Sequence, residues 1–287
     1  MFRGEDRKRF MTLISNLPTA TYVFLLFYIP LGILILISFT VPSKFRVIWE
    51  FTLENHIRVF TDPRFYTPIL NTFLIVTAAT LALIAIGFPI AYYLARVRPD
   101  LGLKIIFFLI IPVEVNYLIR IYAWRVILGE NGLINSFLIS LGLIDKPLTI
   151  LFYSWVSVVI VLIHEWLPYV VIPFYVNLVG IPRDLYEAAM DLGANKLQVF
   201  RSITLPLVKP AILTVMFIVF IPSLGEFAIP ALVGGQSGVM IGVLIDRYLT
   251  DFRLAMGAAL SFFLLIVTLI LSLIMIKIFG YESLYQR

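Results

Sequence analysis

Three carboxylic acids lie inside apolar stretches that are long enough to cross a membrane: Glu114, Glu165 and Glu226. An ionised side chain at membrane depth costs at least about 2.5 kcal/mol on insertion scales, so such groups face a cavity or pair with another charge. A carboxylate that lines a cavity can bind a cation, and aromatic faces can add cation–π contacts to it. We therefore interpret Glu226 and Glu114 as candidates for the lining of a path.

Aromatic side chains that could supply the cation–π faces are Tyr122, Trp124 and Trp166. The alternative is that Glu114 or Glu165 pairs with Arg120, Arg125 or a cation of a partner subunit and serves assembly only. This structural role is the favoured interpretation for Glu165. Arg120 and Trp124 lie four residues apart and could stack, although interfacial Arg and Trp commonly anchor a helix end.

Other chemistries are poorly supported by the residue pattern. His164-Glu165 is followed by Pro168 where the second histidine of a zinc-binding HExxH belongs, and the remaining histidine is His56. The sequence contains no GxxxxGK[ST] phosphate loop and no cysteine. We therefore predict no catalytic residue, no metal site and no cofactor bound by this chain.

The elements that must position these residues are membrane-spanning helices. The chain is 61% hydrophobic and 14% charged, with a mean hydropathy of +1.01, a balance that a water-soluble core of this length cannot hide. We predict an all-α polytopic membrane protein of about six spans. Their predicted ranges are 19–41, 68–94, 105–128, 150–178, 208–233 and 257–279.

Positive charge predicts the orientation of these spans. Most Lys and Arg residues lie in the N-terminal tail, around 95–104, in 179–207 and at the C-terminus, which indicates the cytoplasmic side. We therefore expect a cytoplasmic tail at 1–18, a single transmembrane domain at 19–287 with both termini inside, and a cytoplasmic loop at 179–207. The net charge of +5 is explained by this topology, so we expect no nucleic acid as a partner, and the spans themselves imply contact with membrane lipid.

The loop 179–207 is the most informative polar segment, and it is predicted to form a helix, a turn and a second short helix. Pro182 suits a first helical position, and Asp184 and Glu187 suit the positive end of the helix dipole. Gly193 suits a left-handed stop, and the second helix is expected over 196–201. Leucines and alanines of the first helix lie along one side of it, and an apolar side of this kind is expected to pack against another surface.

The spacing Glu187-Ala188-Ala189, three residues, Gly193, nine residues and then Ile203-Thr204-Leu205-Pro206 resembles the EAA signature of ABC-importer permeases. The resemblance implies the type I importer fold, with the loop as a coupling helix seated on a separate ATPase. The residues that it implies for this coupling are Glu187, Ala188, Ala189, Gly193, Leu205 and Pro206. The alternative is an amphipathic hairpin that only separates the fourth and fifth spans.

The same resemblance implies the partners. These are ATPase subunits, expected in two copies and binding ATP and Mg, a second permease chain of similar fold or a copy of this one, and an extracytoplasmic substrate-binding protein. The location that it implies is the bacterial inner membrane.

Further segments resemble the spermidine/putrescine permeases: 118–124, 141–145, 222–227, Ile229-Pro230 and Gly234-Gly235. The resemblance implies a polyamine as the solute. The sequence departs from the pattern at 112–116, where an aromatic-rich segment is expected. The alternatives are a permease of the same fold for another small solute, such as an inorganic anion, and a secondary transporter.

Overall fold

The computed structural model describes residues 4–280, so the ends of both predicted tails, 1–3 and 281–287, lie outside it. Regular structure in this range is almost entirely helical. The α-helices are α1 Gly4–Val23, α2 Ile29–Ser38, α3 Glu54–Thr61, α4 Pro63–Tyr92, α5 Pro99–Ile110, α6 Tyr117–Ile127, α7 Leu133–Ser140, α8 Trp155–Gly180, α9 Arg183–Asp191, α10 Lys196–Val199, α11 Leu205–Val215, α12 Ile221–Leu224, α13 Ala228–Val233, α14 Ile241–Thr250 and α15 Leu254–Met275.

Short irregular turns interrupt or extend these helices. Five are π-helical, at Phe24–Tyr28, Tyr93–Val97, Phe200–Thr204, Met216–Phe220 and Ile276–Gly280 of the described range, and two are 3₁₀ turns, at Ile111–Glu114 and Thr149–Leu151. Two short strands, β1 Thr40–Val41 and β2 Ile48–Phe51, pair antiparallel.

Five continuous helical stretches among the described residues are long and apolar enough to cross a membrane: Ser15–Ser38, Pro63–Val97, Trp155–Gly180, Lys196–Leu224 and Leu254–Ile278. A sixth span is obtained if the bent pair Pro99–Glu114 and Tyr117–Ile127 is counted as one. The predicted all-α membrane fold with about six spans is confirmed. The cytoplasmic location of both termini stays a prediction.

The third span, predicted over 105–128, is sharply bent in the structure. Its two halves meet at an angle of 93°. The proline-containing 3₁₀ turn Ile111–Glu114 ends the first half, because Pro112 lacks a backbone donor and crowds the preceding turn. The second half starts at Asn116, whose side chain accepts hydrogen bonds from the N–H groups of Leu118 (3.0 Å) and Ile119 (3.4 Å). The break therefore lies a few residues beyond Pro112.

The fifth span is also placed differently from its predicted range, 208–233. It runs without a break from Lys196 to Leu224, so the short helix expected over 196–201 is its first part. The π turn Phe200–Thr204 precedes Pro206 and widens the helix where that proline supplies no N–H, which lets the helix continue through it. At the other end Gly225 closes the helix, and α13 follows separately.

The described chain divides into two compact units: the chain up to Asp62 with Ile245–Phe263, and Pro63–Leu244 with the chain from Leu264. In the first unit the buried Asn55 donates hydrogen bonds to the carbonyls of Ser38 (3.2 Å) and Thr40 (2.7 Å). The first bond satisfies the carbonyl of the last residue of α2, which no helical N–H can reach, and the second one reaches β1.

The second unit is built around the packing of α4 along α8. Ala79 and Ala91 of α4 are buried there, as are Val170 and Phe174 of α8. Small residues let two helix backbones approach closely, which is the main source of helix association when lipid is the solvent. This unit contains every residue predicted from the sequence to couple or to line a path.

Candidate functional site

The loop after α8 forms the predicted helix and turn. Pro182 has an extended backbone and precedes α9, so the helix begins at Arg183, one residue later than expected. Asp184 lies in the first turn, where a negative charge is favoured by the helix dipole. The local sequence thus sets where α9 starts.

Helix α9 ends, as predicted, at a glycine in the left-handed backbone conformation, Gly193, with φ at +87°. The Gly193 N–H donates to the Met190 carbonyl at 2.9 Å, and the Ala194 N–H donates to the Ala189 carbonyl at 3.0 Å. This pair of bonds is a Schellman motif, which satisfies the last carbonyls of a helix. The chain turns sharply after α9 as a result.

The six residues predicted for coupling lie at the surface of the second unit. Glu187, Ala188 and Gly193 are exposed, and Ala189 is partly buried. Leu205 and Pro206 are exposed at the start of α11. Large apolar side chains accompany α9 at the surface: Leu185 is 45% exposed, Met190 49% and Leu192 90%. We call the exposed residues Leu185, Glu187, Ala188 and Leu192 the docking face.

The opposite side of α9 packs against the unit. The Tyr186 ring lies under the guanidinium of Arg96, with 4.5 Å between the guanidinium carbon and the ring centroid. The Tyr186 hydroxyl is 3.2 Å from Oγ1 of Thr204, which is buried. One face of α9 is therefore held, while the docking face is open.

A charged pair joins the third and fourth spans. Nη2 of Arg120, on α6, is 2.8 Å from Oε2 of Glu165, on α8, and their side chains are 12% and 3% exposed. Nδ1 of His164 lies 3.5 Å from the other carboxylate oxygen, and the Trp124 ring meets the His164 ring edge to face at 5.2 Å. Glu165 therefore has the pairing with Arg120 that the sequence left as an alternative.

The carboxylate of Glu226 is held by neutral donors. The Tyr117 hydroxyl donates to Oε2 at 2.7 Å, and the N–H groups of Ala228 and Ile229 donate to Oε1 at 2.9 and 3.2 Å. The side chain thus caps α13 and links it to α6. Gly242 packs so closely that an added Cβ would lie 2.4 Å from the Glu226 carbonyl oxygen.

The remaining predicted path residues are placed separately. Glu114 is exposed at the end of the 3₁₀ turn, and Tyr122 is 51% exposed on α6. Trp166 is partly buried, with its ring 5.4 Å from that of Tyr169. The Trp124 ring contacts the ring of His164, which lies beside the Arg120–Glu165 pair. The Glu226 carboxylate contacts α6 through the Tyr117 hydroxyl.

Several residues of the site were not singled out from the sequence. Asn195 and Gln198 cap α10 reciprocally, with bonds of 2.8 and 2.9 Å, and the Asn-x-x-Gln spacing is a readable signal for this capping box. Tyr117 and Arg96 carry no such local signal, because their partners are distant in the chain.

The geometry can be compared with known proteins. Residues 83–280 match the family described as binding-protein-dependent transport system inner membrane component. The chain belongs to this family. It is 37% identical over 207 residues to the spermidine/putrescine transport system permease protein PotB of Escherichia coli K12, covering 72% of this chain and 75% of that one. The protein of the same name from Haemophilus influenzae is 32% identical over 201 residues, with 70% of each chain covered.

A solved structure shares the fold. A chain of a bacterial alginate ABC transporter, determined in complex with an alginate pentasaccharide-bound periplasmic protein, superposes with a TM-score of 0.70 at 21% identity, covering 94% of both chains. The permease is thus a multi-pass inner-membrane subunit of an ABC transporter, and its relatives are transport subunits.

Proposed function

We propose that this permease forms the translocation path of an ATP-driven importer of polyamines, and that α9 couples it to a separate ATPase. The main support for the coupling role of α9 is the shape of the loop. The docking face is open, the other side of α9 is held by Tyr186, and Gly193 turns the chain away at the helix end.

The docking face suits a protein groove. Ala188 is exposed and small, which permits close approach of a partner backbone, and the neighbouring Leu192 is 90% exposed. Burying such a leucine contributes about 1.5–3 kcal/mol, which favours a protein partner over water. Leu205 and Pro206, exposed at the start of α11, extend the proposed contact.

The partners follow from the family. An ABC importer built on this permease needs two ATPase subunits, which bind ATP and Mg. It also needs a second permease chain or a copy of this one, and an extracytoplasmic binding protein that delivers the solute. The crystallised alginate transporter, which holds a periplasmic protein, supports the last of these.

The proposed solute rests on the similarity to PotB and on the acid residues. The partners of Glu226 described above are neutral and bring no positive charge to it, whereas Arg120 pairs with Glu165. An uncompensated carboxylate at a broken helix suits an ammonium group. Glu226 is therefore the first candidate for solute contact, and the exposed Glu114 and Tyr122 are further candidates.

Coupling is tested by purification of the tagged permease co-expressed with its ATPase. Ala188→Trp places a bulky ring on the docking face and is expected to reduce the co-purified ATPase at least about tenfold, as loss of a well-packed contact does. Leu133→Trp, on α7 and also at an exposed position, is the control and is expected to leave co-purification unchanged. Normal co-purification and ATP-driven uptake by Ala188→Trp would overturn the coupling role.

The solute is tested with the complete complex in proteoliposomes. Stimulation of ATP hydrolysis by the loaded binding protein is measured with spermidine, putrescine and inorganic phosphate. We expect stimulation by a polyamine and none by phosphate. Glu226→Gln is expected to lower polyamine uptake, while Glu130→Gln, at an exposed turn, serves as the control. Stimulation by phosphate alone contradicts the polyamine assignment, and uptake that persists without ATP contradicts an ABC importer.

A further inference from the structure

Arg96, at the end of the second span, contacts both the end of the fourth span and the ring of Tyr186 on α9. This residue lies in the π turn Tyr93–Val97, which extends α4 and is closed by a bond of 2.9 Å from the Arg98 N–H to the Tyr93 carbonyl. A π turn changes the direction of the side chains that follow it and occurs often at functional positions. Here it precedes a junction that also includes α8, α9 and the fifth span.

The first contact of Arg96 is with the end of α8. Its Nη2 donates hydrogen bonds to the carbonyls of Leu178 (2.6 Å) and Ile181 (2.9 Å). The last carbonyls of a helix have no partner within the helix, and the negative end of the helix dipole favours a cation there. Both residues are buried, so Arg96 caps α8 from a neighbouring span.

The second contact is with the coupling helix itself. The guanidinium of Arg96 lies on the ring of Tyr186, and the Tyr186 hydroxyl reaches the buried Thr204 at the start of the fifth span. The ring therefore lies between a cation that belongs to the second span and a hydroxyl that belongs to the fifth. Any displacement of α9 acts on both contacts.

We propose that Arg96 and Tyr186 form the junction that transmits movement of α9 to the second, fourth and fifth spans, and that Arg96 is a positioning residue for coupled transport. The inference rests on the proposed docking of an ATPase by α9. Without Arg96, α9 would be joined to the spans through the chain at its two ends and through Tyr186 and Thr204. ATP hydrolysis would then continue with less transport for each ATP consumed.

The test uses the complete complex in proteoliposomes, with ATPase content, ATP hydrolysis and uptake measured in the same preparation. Arg96→Gln is expected to retain the ATPase and to lower the solute transported per ATP at least about tenfold, as loss of hydrogen bonds from a charged group does. Arg96→Lys is expected to recover part of the ratio of solute transported to ATP consumed, since lysine keeps the positive charge but lacks the planar guanidinium group. Arg98→Gln is the control, because Arg98 is exposed and pairs with Asp100.

A second variant keeps the test decisive if Arg96→Gln does not assemble. Tyr186→Leu removes the ring and the hydroxyl and is expected to lower the ratio, whereas Tyr186→Phe keeps the ring under Arg96 and is expected to lower it less. A wild-type ratio in assembled Arg96→Gln or Tyr186→Leu overturns the proposal. Failure of every junction variant to assemble also overturns it, because the junction would then be a folding element.

A structural readout is available because the chain has no cysteine. Spin labels at Leu192→Cys and Leu81→Cys, both exposed, report the distance from α9 to the second span. Arg96→Gln is expected to broaden the distance distribution, and an unchanged distribution contradicts the junction. If wild-type permease neither retains an ATPase nor transports with ATP, the proposed function fails instead, which is a separate outcome.

Discussion

Removing one member of the Arg120–Glu165 pair should destabilise the permease far more than removing both. The two side chains are 12% and 3% exposed, with 2.8 Å between Nη2 and Oε2. Deleting one partner of a buried pair leaves an uncompensated charge and costs about 3–5 kcal/mol, whereas replacing both by apolar residues of similar volume is often neutral or stabilising. The variants are Arg120→Met, Glu165→Leu and the double substitution.

The two single variants should destabilise the permease by different amounts. In Arg120→Met the group left behind is a carboxyl, which has a neutral, protonated form. In Glu165→Leu the Arg120 guanidinium keeps its charge at any usable pH, so the buried charge stays uncompensated. We therefore expect Glu165→Leu to destabilise the permease more than Arg120→Met does.

The free energy of unfolding is measured for all variants in mixed micelles titrated with a denaturing detergent. The coupling energy in the double-mutant cycle is expected to be at least about 3 kcal/mol. Arg98→Gln, which breaks an exposed pair with Asp100, is the control and should leave the unfolding transition unchanged. Additive single losses in the double variant would refute the reasoning, and so would two single variants of wild-type stability.

The same double variant separates the two roles left open for Glu165. A stable double variant that transports normally shows that the pair is needed only to hold α6 against α8. A stable double variant that no longer transports places Glu165 on the path, through Oε1, which has no hydrogen-bond partner among the described residues.

Three further outcomes are expected. Gly193→Ala forces a side chain into the left-handed region, at a cost of about 1–2 kcal/mol, and should lower the amount of ATPase that co-purifies. Gly242→Ala, whose Cβ would clash with the Glu226 carbonyl, should lower thermal stability and uptake, whereas Gly180→Ala has open space in the described structure and should change neither. Burial lowers the pKa of His56 below its ordinary value of 6.5, so between the two pKa values the unfolded chain binds a proton that the folded chain does not. The free energy of unfolding should therefore rise with pH through this window. Unfolding measured at about pH 5.5 and 7.5 tests this, and a His56→Gln variant should lose the dependence.

The sequence predicts the spans and the α9 hairpin well, because both depend on local properties. Apolar stretches of sufficient length indicate a span wherever they fold, and Gly193 ends a helix through its own conformational freedom. The bounds were less accurate, because the effect of a proline on a helix depends on the turn in which it lies. A π turn absorbs Pro206 within a continuous helix, while Pro112 lies in a 3₁₀ turn that ends one.

The partners of the charged residues were not predictable to the same degree. Arg96 caps a helix end 82 and 85 residues away in the chain, and the Tyr117 hydroxyl meets a carboxylate 109 residues away. Such contacts depend on which helices pack together, and periodicity does not encode that choice. The sequence could name Arg120 as a possible partner of Glu165 only because buried charges require compensation.

The fifth span offers a direct mechanical connection between the two parts of the site. Its start contains Thr204, which contacts the α9 ring, and the turn at its other end contains Glu226. The chain between them is helical without a break from Thr204 to Leu224, so at about 1.5 Å per residue this stretch of about 20 residues extends over about 30 Å. A helix of this kind moves as a rod, except where the π turn Met216–Phe220 lets its ends shift against each other. Movement of α9 would therefore reach the Glu226 carboxylate through one element, and restraining that π turn should reduce transport without affecting ATPase docking.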